Sequence, residues 1–261
     1  MSVRAISLSV RSLHIIERNG MVIRHNWLVL LSGFFEPVLY LLGVGFGIGS
    51  LVGSVPIGGG HSVSYAMFVA PALMASSAMN GAIYESTFNL FYKLRYVRSF
   101  DAIVATPVGV EDATLGEILW AVGRGSVYSI GFVVLMLVLG LVASPLAVLA
   151  IPAAILVGFA FAALGAAATT FVRQWQDLDI LQLVLQPMFL FSATFFPITV
   201  YPQALRVIVE VTPLYRGIDL IRGLTTGVVG PGQLLDVGYL LVMGIAGVTV
   251  AALRLRSRLL K

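Results

Sequence analysis

The sequence contains no cysteine, which excludes disulfides, thiolate metal sites and cysteine nucleophiles from this 261-residue chain. Its three histidines, His14, His25 and His61, lie far apart and match no zinc-site spacing. Neither lysine stands in the glycine pattern of a Walker A loop, and no segment resembles a serine nucleophile elbow. We therefore expect a chain that is not an enzyme, with no catalytic residue, no metal site and no cofactor of its own.

Charge is also scarce. Charged residues make up 11% of the sequence and hydrophobic residues 59%, whereas a soluble domain carries about a quarter charged residues. No charged residue occurs between Arg124 and Arg173, a stretch far longer than the roughly 20 residues that one span needs. The apolar runs predict an all-α polytopic membrane protein with six transmembrane helices, at about 27–49, 65–88, 115–142, 146–172, 180–197 and 234–253.

The basic residues predict the orientation of these spans. With both termini inside, inner segments hold twelve lysines and arginines, while outer segments hold only Arg206, Arg216 and Arg222. Cytoplasmic loops carry the excess of basic residues, so both termini are expected in the cytoplasm. The same placement explains the net charge of +4 without a nucleic-acid partner. Arginine outnumbers lysine fourteen to two, which hints at a GC-rich bacterial genome. The expected location is a bacterial plasma (inner) membrane.

The first 26 residues predict an amphipathic helix on the inner membrane surface. Arg4, Arg11 and Arg18 recur every seven residues beside an apolar face, a pattern that suits anionic lipids. The same charges interrupt the segment before an apolar core can form, so it is not a cleavable signal peptide. Residues 1–26 are therefore expected to form an interface helix in contact with membrane lipids.

Polar residues within the spans are candidates for a transport path, because ionisable groups are costly in a membrane. Glu36 is the deepest, and an interaction with a neighbouring helix or a second subunit is as good an explanation of it as substrate contact. Glu85 lies near the inner end of the second span. Gln182 and Gln186 share one face of the fifth span, where interhelical hydrogen bonding is the more common role.

Two further charges, Glu117 and Arg124, lie two turns apart in the inner half of the third span. We expect them to pair with each other, in a mainly structural role.

The stretch from residue 190 to residue 224 is broken three times by proline between short helical pieces. Irregular backbone near hydrocarbon is tolerated only where protein or water covers it. Residues 198–232 are therefore interpreted as an external re-entrant hairpin that forms a lid. Arg216, Asp219 and Arg222 share one helix face and can pair in sequence. The candidates for path and gate are Glu36, Glu85, Gln186, Phe195, Phe196, Arg216, Asp219 and Arg222.

Three motifs carry a resemblance to a known family. They are FFEPVLYLLGVGFGIGS in the first span, ATPVGVEDATLGEILWA after the second, and QPMFLFSATFFPITVYPQALRVIVEVTPLYRGIDLIRGL at the hairpin. With the spacing of the spans they cover nearly the whole chain. The chain resembles the transmembrane (permease) subunit of ABC-2 type exporters, in the branch of nodulation-factor (lipooligosaccharide) and drug-exporting permeases.

The resemblance implies one ABC-2 transmembrane domain over residues 1–261, with a cytoplasmic coupling segment at 92–114. It also implies a second permease subunit, identical or homologous, and separate soluble ATP-binding subunits that hold ATP and Mg. The residues expected to dock on the ATP-binding subunit are Arg98, Ser99, Phe100, Asp101, Ala105, Thr106 and Pro107.

The expected function is that of a permease subunit of an ATP-driven exporter. Its cargo would be an amphiphile such as a lipid-linked glycan, a glycolipid or a hydrophobic antibiotic. An ion-coupled secondary transporter of hydrophobic compounds is the alternative, although no internal repeat supports it. A lipid-modifying membrane enzyme would need a His/Asp/Cys constellation, which the sequence does not provide.

Overall fold

The structure is a computed structural model, and it describes residues 12–21, 35–58, 60–97, 100 and 109–259. In chain order its helices are α1 (12–21), α2 (Phe35–Val52), α3 (Tyr65–Arg95), α4 (Val110–Val138), α5 (Pro145–Thr169), α6 (Asp177–Phe191), α7 (Gln203–Val211), α8 (Pro213–Thr226) and α9 (Gly232–Leu259). Two short antiparallel strands, β1 (Ser54–Gly58) and β2 (His61–Ser64), form a hairpin between α2 and α3. Segments of α2 and α3, Leu41–Ile48 and Glu85–Asn89, are π-helical.

Five of the described helices, α2, α3, α4, α5 and α9, are long and apolar enough to cross a membrane. The predicted all-α polytopic fold is confirmed, and the helices fall where the apolar runs place them. The hairpin β1–β2 lies between the first two predicted spans. No sequence signal marked it, since its residues are mostly Gly, Ser, Pro and Val.

Helix α6 corresponds to the predicted fifth span but has 15 residues and ends at Phe191 instead of continuing to residue 197. The turn after it is built from specific contacts. Thr194 donates its hydroxyl hydrogen to the carbonyl oxygen of Phe189 at 2.6 Å. Ala193 adopts a positive φ of 56°, unusual for a residue with a Cβ, and this reverses the chain towards α7.

Helix α3 forms the centre of the bundle, and 89% of its most apolar 18-residue stretch is buried. Small residues let α4 and α5 approach it closely. A Cβ on Gly125 of α4 would lie 3.1 Å from the carbonyl oxygen of Ala78, and one on Gly81 of α3 would lie 2.7 Å from the ring of Tyr128. On the other side, a Cβ on Gly165 would collide with Ser86. This is the close small-residue packing typical of membrane helices.

Helices α2 and α6 lie at the periphery. Only 17% of the most apolar 18-residue stretch of α2 is buried. In α6 the one buried residue is Leu178. Large apolar side chains on both helices, such as Leu42 and Leu183, are therefore exposed in the single chain. Between these two helices runs the groove described below.

Helix α1 packs against α4 through one face, formed by Ser12, Ile15 and Asn19. The side chain of Ile15 fills the space that a Cβ on Gly116 would need, at 2.7 Å. Leu13 lies on the opposite side and is exposed. The amphipathic pattern of the sequence thus corresponds to a helix held on the bundle by a partly polar face.

Candidate transport groove

Three neighbouring cavities form a continuous groove along α2 and α6. The first, of about 410 Å³, shares Gln182 and Gln186 with the second, of about 590 Å³. The second shares Tyr40, Leu190 and Phe195 with the third, of about 550 Å³, which reaches the strand β1. The groove therefore runs from the middle of the bundle to its hairpin end, where β1–β2 and α7 lie.

The first cavity is polar. Its lining includes Glu36, Asn80, Tyr84, Arg124, Tyr128, Gln182 and Gln186, contributed by α2, α3, α4 and α6. Within the described part of the chain, the side chains of Glu36, Asn80, Gln182 and Gln186 make no hydrogen bond or ion pair. Four polar side chains with free hydrogen-bonding capacity thus face one cavity at membrane depth. Such groups are expensive in a membrane unless they line a wet path or meet a ligand.

Arg124, by contrast, is fully engaged. Its Nη1 donates to Oε2 of Glu85 at 2.7 Å, and its Nε donates to the hydroxyl of Tyr128 at 3.1 Å. The guanidinium also lies over the ring of Tyr84, 5.5 Å from its centroid. Because Arg124 is already paired with Glu85, Glu36 is the acidic side chain that a ligand in this cavity would meet.

The other end of the groove is aromatic. Tyr40 and Phe189 meet edge to face at 5.8 Å between ring centroids, and Phe189 meets Phe195 at 5.4 Å. The hydroxyl of Tyr65 donates to the carbonyl oxygen of Phe195 at 3.1 Å, which fixes the turn after α6. Phe196 lines the third cavity and is exposed. The groove is thus polar at one end and aromatic at the other.

Behind the polar cavity lies a buried ion-pair network that joins α1, α3 and α4. Glu117 accepts hydrogen bonds from Lys93 at 2.6 Å, Arg18 at 2.9 Å and Asn19 at 3.0 Å. Lys93 also lies 3.6 Å from Glu85. The expected Glu117–Arg124 pair does not form. Seven residues separate two positions by about 10 Å along a helix axis, and each residue finds a partner on another helix instead.

The charges of the hairpin segment also pair differently from the expectation. Arg216 forms an ion pair with Asp236 of α9 at 3.2 Å, and the charge of Asp219 also acts on that aspartate. Arg222 donates to the carbonyl oxygens of Phe68 at 3.2 Å and of Ala193 at 2.9 Å.

Arg222 also lies over the Phe68 ring, 3.8 Å from its centroid. Among the described residues, neither Arg216 nor Arg222 forms an ion pair with Asp219. Arg216 and Arg222 therefore bind groups on α3, α9 and the turn after α6 instead of Asp219, their neighbour in sequence.

A profile of the ABC-2 type transporter family matches residues 12–225, most of the chain. The chain belongs to the ABC-2 type transporter family. This confirms the resemblance that the three motifs carried, and it makes the chain a multi-pass membrane component of a transporter.

Within the family, this ABC-2 protein is similar to proteins named nodulation protein J. It is 31% identical to the one from Rhizobium meliloti (strain 1021) over 232 residues, which cover 88% of this chain and 87% of that protein. It is 32% identical to the one from Rhizobium leguminosarum bv. trifolii over 233 residues, covering 89% and 87% respectively. Nearly the whole length is therefore shared with these relatives.

The structure of this ABC-2 protein brings some of the candidate path residues together and separates others. Glu36, Gln186, Phe195 and Phe196 line the groove. Glu85 does not line the groove but lies behind Arg124, to which it is hydrogen-bonded. The hairpin charges Arg216, Asp219 and Arg222 do not belong to its lining and instead hold α8 against the bundle.

Of the coupling residues, only Phe100 is described, with 1% of its surface exposed. Arg98, Ser99, Asp101, Ala105, Thr106 and Pro107 lie outside the described residues. The segment resumes at Gly109, whose backbone N–H donates to Asp112 at the start of α4. Coupling through this segment therefore stays a prediction.

Sequence reasoning missed several residues of the site. Asn80 could have been found as a lone amide in an otherwise apolar span. Tyr40 and Tyr128 offered no signal, because aromatic residues are common in membrane helices. Asp236 lies just inside α9, beyond the proline-broken stretch on which the lid was argued.

Proposed function

We propose that this protein is the permease subunit of an ATP-driven exporter that moves an amphiphile along the α2–α6 groove. The observation that carries the proposal is the change in polarity along the groove. Free amide and carboxylate groups lie at one end, and Tyr40, Phe189 and Phe195 lie at the other. A polar headgroup needs hydrogen-bonding partners to leave water, while an acyl or aromatic tail needs apolar walls.

The cargo class follows from the same chemistry. Three unpaired amides, Asn80, Gln182 and Gln186, offer both donors and acceptors, as sugar hydroxyls and acetamido groups require. The similarity to nodulation proteins J supports a lipid-linked glycan or glycolipid. The open, aromatic end would also accept a hydrophobic antibiotic.

ATP hydrolysis would take place on a separate soluble subunit, since the sequence has no Walker A loop. ATP and Mg would be bound there and not by this chain. We assign docking of that subunit to segment 92–114, centred on residues 98–107. The buried ring of Phe100 would anchor this segment to the bundle.

A second permease subunit, identical or homologous, would cover the exposed apolar faces of α2 and α6 and close the groove. The twelve-to-three distribution of basic residues supports cytoplasmic termini and an outward-facing hairpin end. The membrane would be the bacterial plasma membrane. Transport would then run from the polar cavity towards β1–β2 and the lid formed by α7 and α8.

The test is reconstitution with the candidate ATP-binding subunit. The permease should co-purify with it, and vesicles containing both should move a fluorescent glycolipid in an ATP-dependent manner. A catalytically inactive ATP-binding subunit serves as the control. ATP-independent movement driven by a proton or sodium gradient would instead support an ion-coupled transporter.

A further inference from the structure

A fourth cavity, of about 290 Å³, lies at the opposite end of the bundle from the hairpin, where α3, α5 and α9 end. Its floor is apolar, and two arginines stand at its rim. The lining residues are Phe91, Leu94, Arg95, Thr169, Val172, Leu255 and Arg258. It shares no residue with the transport groove, and its residues Leu94 and Arg95 lie at the start of the segment assigned above to docking of the ATP-binding subunit.

The cavity lies beside a cluster of four arginines. The guanidinium of Arg258 is repelled by those of Arg95, Arg254 and Arg173. Among the described residues, none of these four arginines has a carboxylate oxygen within 4.0 Å of its side chain. Four like charges near one cavity are unfavourable unless an anion joins them.

Two acids at the same end of the bundle have partners of their own, although the charge of Asp177 also attracts that of Arg173. Asp177 binds the backbone N–H groups of Arg173 at 2.8 Å and Gln174 at 3.2 Å. Glu111 pairs with Arg256 at 3.1 Å, on another side of α9. Among the described residues, no carboxylate lines the cavity, so Arg95 and Arg258 are the charged groups that a ligand would meet there.

Arg254 is held in place without a polar partner. Its guanidinium lies over the ring of Phe171, 3.7 Å from the ring centroid. Its Nε is buried and makes no hydrogen bond. A buried donor of this kind carries a desolvation cost.

We propose that this basic pocket, lined by Arg95 and Arg258 over its apolar floor with Arg173 and Arg254 nearby, binds the phosphate headgroup of an anionic phospholipid. Guanidinium groups bind phosphate oxygens in pairs of parallel hydrogen bonds. The floor of Phe91, Leu94 and Leu255 suits the first part of an acyl chain. The pocket opens where three membrane-spanning helices end, which is the depth of lipid headgroups. An acidic protein surface could satisfy the charges but not the apolar floor.

The test is native mass spectrometry of the full-length protein, titrated in detergent with phosphatidylglycerol or phosphatidylcholine. We expect phosphatidylglycerol to bind in preference. The double variant Arg95→Gln/Arg258→Gln should weaken its binding about thirtyfold, since each basic residue contributes about a factor of five near an anionic lipid. The matched control is Arg256→Gln, which removes a neighbouring charge outside the pocket and should leave binding within about twofold.

A second variant separates charge from folding. Arg95→Lys/Arg258→Lys keeps both charges and should retain binding within a few fold. Equal loss of binding in Arg256→Gln and in the double glutamine variant would overturn the proposal, since lipid binding would then depend on any surface charge and not on the arginines of the pocket. Equal binding of the two lipids would also overturn it. So would full displacement of the lipid by soluble glycerol phosphate, because the site would then be one for a free anion.

Discussion

Arg124 and Glu85 form an ion pair of 2.7 Å inside the helix bundle, with 7% and 3% of their side chains exposed. The pair joins α4 to the π-helical segment of α3 and forms the rear wall of the polar cavity. Glu85 also accepts hydrogen bonds from Asn89 at 2.7 Å and Trp120 at 3.1 Å. The carboxylate of Glu85 is thus shared by three donors from two helices.

The first prediction concerns this pair. Glu85→Gln leaves Arg124 buried without an acid, which costs about 3–5 kcal/mol in comparable pairs. We expect a marked drop in the thermal midpoint of the purified protein, read from tryptophan fluorescence in detergent. Glu111→Gln, which breaks the exposed Glu111–Arg256 pair, should cost at most about 1 kcal/mol. Equal midpoints for the two variants would show that the buried pair is not structural.

The second prediction concerns the attachment of α1. Glu117→Gln removes the carboxylate that binds Arg18, Asn19 and Lys93, so α1 should detach more often. Trypsin cleavage after Arg18 should become at least about tenfold faster, because local opening controls the rate. Glu17→Gln, whose one ion-pair contact within the described residues is the exposed His14 at 3.7 Å, should be cut at the wild-type rate. Unchanged cleavage in Glu117→Gln would mean that apolar packing alone holds α1.

The third prediction concerns the hairpin charges. Arg222→Met removes two hydrogen bonds to buried carbonyls and a contact with the Phe68 ring, and should cost about 2–4 kcal/mol. Asp219→Asn removes a negative charge that acts on Asp236 and breaks no ion pair among the described residues, so it should stay within about 1 kcal/mol. Denaturation of the two variants in detergent measures both. A larger loss of stability in Asp219→Asn than in Arg222→Met would instead support the pairing of Asp219 with Arg216 and Arg222 that the sequence predicts.

These same residues show which features of the fold and of the candidate site could be predicted from the sequence. Spans and the proline-broken segment were predictable, because hydropathy and proline act locally. The partners of Arg124, Glu117 and Arg222 were not, since each lies on a different helix and depends on how the bundle packs. The groove was predictable in part. Glu36 and Gln186 were marked by their polarity, whereas Tyr40 was hidden among ordinary apolar positions.

The fourth prediction concerns orientation. Because the chain has no native cysteine, single introduced cysteines report their side of the membrane directly. A cysteine at Ser62, exposed in strand β2, should react with a membrane-impermeant maleimide in intact cells. A cysteine at Ser99 should react only after the membrane is opened. The reverse pattern would place the termini outside and would contradict the charge distribution.

The central claim is that cargo moves along the groove between α2 and α6, and cysteine blocking at one groove position tests it most directly. Gln186 lines two of the cavities, whereas Val184 is exposed on the same helix and lines none of the three. A bulky maleimide should abolish ATP-dependent glycolipid export by Gln186→Cys and leave export by Val184→Cys unchanged. Equal export by both labelled variants, at a confirmed labelling yield, would place the transport path elsewhere.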